Sequence, residues 1–309
     1  MISKTTAKLA IDAHCAIGEG PMWDEAGKRF LWCDNAIGTI FEARDDAHAG
    51  WRETRRWSLN RTTGAAIPRA RGGLVVVSGT EIVTLSDSGE LGTFARIDAD
   101  PNIVKLNDAR CDPQGRLWTG TYAHDFRPGV SALYRIDPDG SVHTMLENVG
   151  LSNGMDWSPD GRIFYYIDSF TASVDAFDFD AVHGTINHRR KAISVPSSEG
   201  GLDGMTVDRE GCLWLAMFGT GEVRRYSPRG ELLMRIQTSA PAVTSCSFGG
   251  SDCGDLFVTS ASIRIPDPVL PIINWTVDMA DSAATAPGAG GVFVVRPGVY
   301  GRPETPFVG

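Results

Sequence analysis

The chain is predicted to be all-β, a six-bladed β-propeller, from a repeat in its glycines and from the absence of helical periodicity. A turn followed by a short apolar or aromatic strand recurs as DEAGKRFLW, RARGGLVVV, DPQGRLWTG, SPDGRIFYY, DREGCLWLA and SDCGDLFVT. Aligning the turns on Gly27, Gly72, Gly115, Gly161, Gly211 and Gly254 gives intervals of 45, 43, 46, 50 and 43 residues. Three positions after each glycine stands Phe30, Val75, Trp118, Phe164, Trp214 or Phe257, the large apolar residue that an inward-facing strand position needs. No segment carries a sustained 3.6-residue apolar period with helix caps, so helix content should be low.

Each element follows from that frame. Further strand-and-turn pairs lie between the repeats, such as ALYRIDPDG at 132–140 and EVRRYSPRG at 222–230. Units of about 45 residues holding about four short strands have the size of a propeller blade. No Gly-His…Trp-Asp pairing recurs, so the repeat is not of the WD type. The strand GGVFVVRP at 290–297 follows a long Pro-rich insertion and is expected to share the last blade with the N-terminal strand, which closes the ring and hides its edges. One domain is expected over residues 1–309.

Composition excludes several classes of protein. Hydrophobic residues make up 42% and charged residues 22% of the 309, ordinary values for a folded chain. The net charge of −9, with no lysine or arginine cluster to override it, argues against a nucleic-acid partner. The first twenty residues lack an unbroken apolar run and a cleavage site, and no stretch approaches the ~20 apolar residues that span a bilayer. The cysteines, Cys15, Cys33, Cys111, Cys212, Cys246 and Cys253, form no C-x-x-C pair and suit reduced, buried thiols. A cytoplasmic protein with no membrane contact is expected, and a closed propeller, needing no partner for its edges, is expected to be a monomer.

Function is carried by a second register. Eight residues before each aligned glycine stand Glu19, Gly64, Asn107, Asn153, Asp203 and Cys246. Equivalent positions of successive blades are related by rotation about the propeller axis. If this register lies at the channel end of each innermost strand, the four carboxylate or carboxamide side chains converge there. Taken singly, Asn153-Gly154 and Asp203-Gly204 are dipeptides of tight hairpin turns, and Glu19 between two glycines reads as a loop residue. The shared offset counts against four independent turns. Gly64 and Cys246 read as wall residues. Two carboxylates and two amides are hard oxygen donors, suited to Ca²⁺, Mg²⁺ or Mn²⁺, with Zn²⁺ also accommodated. Three protein ligands would leave positions open for water and substrate.

At these residues the sequence resembles the senescence-marker-protein/gluconolactonase (regucalcin-like) family of sugar lactonases. The matching stretches are GEGPMWD at 18–24, NDARCDPQGRLWTGT at 107–121, LSNGMDWSPDGRIFYYIDS at 151–169 and DGMTVDREGCLWLA at 203–216, with TSCSFGG at 244–250 and the ending GGVFVV…GRPETPFVG. The resemblance implies one divalent metal ion on the axis, held by Glu19, Asn153 and Asp203, with Asn107 and Asp108 contacting substrate. It also marks departures. Lys105 stands where the family usually has arginine, which keeps the charge but loses the planar fork, and Leu202-Asp203-Gly204 replaces a common Pro-Asp-Gly. Tyr122, His124 and Asp125 follow the Gly-Thr of the third repeat, where relatives vary and often contact substrate; of these Tyr122 and His124 are taken as substrate-binding residues of the active-site wall.

The expected chemistry is metal-dependent opening of a sugar-acid lactone, such as gluconolactone, galactonolactone, arabinonolactone or xylonolactone, to the aldonic acid. Asp203 is the candidate general base, Asn107 and Asp108 would bond sugar hydroxyls, and Lys105 would orient the ring or an acidic substituent. A serine hydrolase is also suggested by Gly150-Leu151-Ser152-Asn153-Gly154, which fits G-x-S-x-G; that motif requires a strand-to-helix elbow, whereas here a strand hairpin follows. A propeller acting on other esters, such as phosphotriesters, and a non-enzymatic calcium-binding regulator are the remaining alternatives.

Overall fold

The computed structural model describes residues 2–264, 267, 270–271 and 275–309. Six sheets form a six-bladed β-propeller. Blades one to five cover residues 18–58, 63–96, 104–149, 152–194 and 201–237, each an antiparallel meander of four strands. The sixth combines Val243–Gly249, Asp255–Ser260 and Val292–Val295 with the N-terminal strand Lys8–Ile11, which pairs antiparallel to Val292–Val295. The expected closure of the ring is therefore present.

The repeat glycines lie in the hairpins joining the first and second strands of each blade, and all six residues three positions later are buried. They fill the layers between neighbouring blades. Trp118, Trp157 and Phe164 pack between blades three and four, with Trp118 and Trp157 ring centroids 5.7 Å apart. Phe30, Trp32, Phe41 and Phe257 stack where the sixth blade meets the first. The six cysteines are buried and unpaired, as their scatter suggests.

Three features lie outside the sequence expectation. Ser3–Thr6 adds a fifth strand to blade five, parallel to Leu232–Gln237. The insertion after Ser260 contains an α-helix, Val277–Ala284, too short to show a period; the Thr276 hydroxyl caps it by accepting from the Met279 amide. Residues 301–309 cross the far end of the channel, where Phe307 is wholly buried and its backbone pairs with Pro68 and Ala70. Phe307→Ala should therefore cost about 3–5 kcal/mol of stability, read as a lowered urea midpoint; an unchanged midpoint would remove the tail from the core.

Among the described residues, no helix is long and apolar enough to cross a membrane.

Candidate active site

The innermost strands Gly18–Asp24, Thr63–Pro68, Val104–Cys111, Ser152–Trp157, Gly201–Val207 and Val243–Gly249 surround the axial channel. In each, pairing with the second strand slips near the mouth, at the predicted register itself for Gly64, Asn107, Asn153 and Asp203, just after Glu19 in the first blade and two residues before Cys246 in the sixth. The slips fall between Glu19 and Met22, Thr63 and Ala65, Leu106 and Ala109, Ser152 and Met155, Leu202 and Met205, and Val243 and Ser245. Such bulges bend a strand and re-aim a side chain, and here Asn107, Asn153 and Asp203 each occupy the first unpaired position. Asn153-Gly154 and Asp203-Gly204 are thus bulges of innermost strands and not turns. Their glycines are required by the crowded axis. A Cβ on Gly154 would press on the Met205 amide, one on Gly204 on the Ser245 side chain, and one on Gly64 would overlap the Asn107 carbonyl.

Glu19, Lys105, Asn107, Tyr122, Asn153 and Asp203 line one cavity of about 370 Å³ at the channel mouth. His124 also lines it from an exposed rim position, its Nε2 3.0 Å from the Pro101 carbonyl oxygen. Asp108 does not line this cavity. Its charge acts on Glu19 and Asp203 on one side and on Arg110 on the other, so it belongs to the channel that leads away from the mouth. Asp125 is exposed and pairs loosely with Arg127 at 3.8 Å.

A chain of hydrogen bonds fixes the two amides. Ser169 Oγ donates to the Leu202 carbonyl at 2.6 Å, so it can only accept from Asn153 Nδ2, at 2.7 Å. Asn153 must then present Oδ1 to the cavity side. Asn107 Nδ2 spends its hydrogens on Asn153 Oδ1 at 2.6 Å and the Ser152 carbonyl at 2.8 Å, and Asn107 Oδ1 accepts from Asn35 Nδ2 at 3.3 Å. Asn107 is consequently an acceptor toward substrate, with no N–H left to offer.

The carboxylates are electrically exposed to one another. Burial and the charges of Asp203 and Asp108 push the Glu19 carboxyl well above the usual range; burial and Asp108 do the same to Asp203. Burial raises Asp108 to about 6, against the opposing pull of Arg110. Among the described residues, neither Glu19 nor Asp203 has an ion-pair partner. Two unneutralised carboxylates beside an amide oxygen held in place form a hard-oxygen donor set of charge −2, which fits a divalent cation. No group of three His, Cys, Asp or Glu side chains among the described residues is placed to hold an ion, so the amide is needed to complete any such set.

On the cavity wall the Lys105 ammonium lies 4.9 Å from the centroid of the Tyr122 ring, and burial lowers its pKa. Burial, with the charges of Glu19 and Asp203, pushes the Tyr122 hydroxyl up, so it stays protonated and able to donate. Sequence reasoning missed Ser169 and Asn35, which orient the amides, and the aromatic wall residues Phe126 and Phe218.

Ser152 is fully buried within an innermost strand, outside the cavity lining and with no helix after it. A nucleophile elbow is absent. Catalysis should accordingly survive a serine-directed organophosphonate, assayed as residual rate after incubation; complete inactivation would restore the serine mechanism.

The family described as the SMP-30/gluconolactonase/LRE-like region matches residues 17–262. The chain is 35% identical to regucalcin of Danio rerio over 317 residues, covering all of both chains. Its fold is similar to a luciferin-regenerating enzyme at a TM-score of 0.85 and 27% identity, over 98% of this chain and 99% of that one. It also resembles a calcium-binding protein, regucalcin, from Agrobacterium tumefaciens, at a TM-score of 0.87 and 24% identity over 99% of each; at that identity the likeness is one of fold.

Proposed function

The chain belongs to the SMP-30/gluconolactonase/LRE-like family, and from that premise we propose that it hydrolyses a sugar-acid lactone with the help of one divalent cation. The observation that carries this reading is the placement of Glu19, buried, and Asp203, half-buried, neither with an ion-pair partner among the described residues, beside the fixed carbonyl oxygen of Asn153 in a substrate-sized cavity. Those three residues would hold the ion. When bound, it supplies a Lewis acid that polarises a carbonyl or lowers the pKa of water.

The remaining work falls to side chains. Asp203, a carboxylate on the cavity lining, takes a proton from the attacking water. The water oxygen bonds to the acyl carbon, the acyl carbon–ring oxygen bond breaks, and the ring oxygen leaves as a hydroxyl. Asn107 Oδ1 accepts from a substrate hydroxyl, the Tyr122 hydroxyl donates toward the acidic floor, and Lys105 holds the ring from the side. Above the product's pKa each turnover releases one proton.

The test is proton release at constant pH from a panel of aldonolactones, using chelated protein with single divalent ions added back. Hydrolysis above the spontaneous rate that requires an added ion is the expected result, and the panel ranks both sugar and ion. Turnover of phosphotriesters alone, or calcium binding without turnover of any ester, would replace the reading.

A further inference from the structure

The cavity floor is polar, but its upper wall is not. Tyr122 and Phe126 pack with ring centroids 5.5 Å apart, and Phe126 extends from blade three to the cluster formed by Phe218, Leu270, Trp275 and the helix alanines Ala280 and Ala283. Trp275 in turn backs Phe218 at 5.5 Å. Leu270, Trp275, Ala280 and Ala283 therefore back Phe126 and Phe218, which give the mouth an apolar wall. Phe126 makes this contact from a left-handed backbone conformation, φ 57°, which a bulky side chain adopts at a cost that its surroundings must offset. Leu151, Leu202 and Ile263 continue the apolar wall.

At about 370 Å³ the cavity is in the range that encloses a drug-sized ligand, more than a single sugar ring fills. A hydroxylated arm against this wall would lose its bonds to water and gain none, whereas an alkyl or aryl arm would be favoured by burial. Building on the lactone-hydrolase reading, we infer that the cavity accepts lactones whose ring carries an apolar arm, with Phe126 setting that preference. The chemistry is unchanged: one water is consumed, the acyl carbon–ring oxygen bond breaks, and a hydroxy acid bearing the apolar arm is released.

The test is a homologous series, γ-butyrolactone with its γ-ethyl, γ-butyl and γ-hexyl derivatives, assayed for kcat/KM with the activating ion. The matching lactams, which are not hydrolysed, are titrated by calorimetry. Each methylene buried against the wall should raise kcat/KM and lactam affinity about fourfold until the cavity is full. Phe126→Gly, which suits the left-handed backbone and removes the ring, should cut the preference for the γ-hexyl over the parent lactone at least fivefold, roughly the loss of one to two buried methylenes. Turnover that is flat or falls along the series, or a preference untouched by Phe126→Gly, overturns the inference. Lactam affinity that climbs along the series without turnover of any lactone leaves the apolar wall standing and overturns the hydrolase reading instead.

Discussion

Asp203→Ala should lower kcat/KM on lactones by on the order of 10³-fold or more while the propeller remains folded. A positioned base alone is worth about 10²–10⁴-fold, and the same substitution also removes one of the two carboxylates of the proposed ion site. The fold should not suffer, because Asp203 has no ion-pair partner among the described residues and burial already disfavours its charge. Asp203→Asn separates the two roles. It keeps an oxygen for coordination but cannot accept a proton, so it should stay as inactive as the alanine variant at any ion concentration. If excess divalent ion rescues Asp203→Asn, Asp203 is a ligand and another group is the base; if Asp203→Ala is fully active, it has neither role.

The second large effect is on stability. In ion-free protein the carboxyls of Glu19, Asp203 and Asp108 all have pKa values raised, first by burial and then by neighbouring carboxylates: Asp203 and Asp108 on Glu19, Asp108 on Asp203, and Glu304 on Asp108. A raised acid in the folded state contributes stability that is complete below its unfolded pKa and disappears as pH climbs through the folded value. Chelated protein should therefore lose thermal stability as pH rises from near 4, the ordinary carboxylate range, through about 6, where Asp108 titrates, and onward. A divalent cation at a hundredfold above its Kd adds about 2.7 kcal/mol, worth about 4 °C in Tm for a chain of this size, and should flatten the profile. Differential scanning calorimetry across pH, with and without the ion, measures both. Asp156 works in the opposite direction, since Arg110 and Arg302 overcome its burial and hold it low, so very acid pH destabilises the fold by a separate route. A chelated protein whose Tm is level from pH 5 to 8, and which no divalent ion raises, would contradict the proposed site.

Much of this was legible because a propeller converts sequence period into geometry. Counting back from the glycines found Glu19, Asn107, Asn153 and Asp203, and the structure brings all four to one cavity. The same count run forward seven residues lands on Asp34, Gly79, Tyr122, Asp168, Phe218 and Ala261. Three of these line the cavity. The two aspartates accept from the amides of Ala16 and Ile17 and of Gly150 and Leu151, the segments leading to Glu19 and Asn153. The residues after them are Asn35 and Ser169, the supports of the two amides. That second register is present in the chain, but its members share no single chemistry that would mark them as a set. Phe126 was not legible at all, since its importance comes from an insertion more than 130 residues away in sequence. The bulges were misleading singly, because Asn-Gly and Asp-Gly relieve crowding at the axis with the same residues that form a turn.

The clasp in the sixth blade also determines the order of events when the chain folds. Lys8–Ile11 can be paired only after Val292–Val295 exists, so almost the whole chain must be in place before the ring can shut. Until then the strand is an open edge available to other chains, and the contact that ends this exposure carries nearly the largest loop-closure entropy the molecule can have. Closure is therefore expected to be a late, slow step of folding. Once made, such a contact, absent from earlier states, slows unfolding more than it speeds assembly. The ring would owe its persistence to the lifetime of this seam as much as to equilibrium stability.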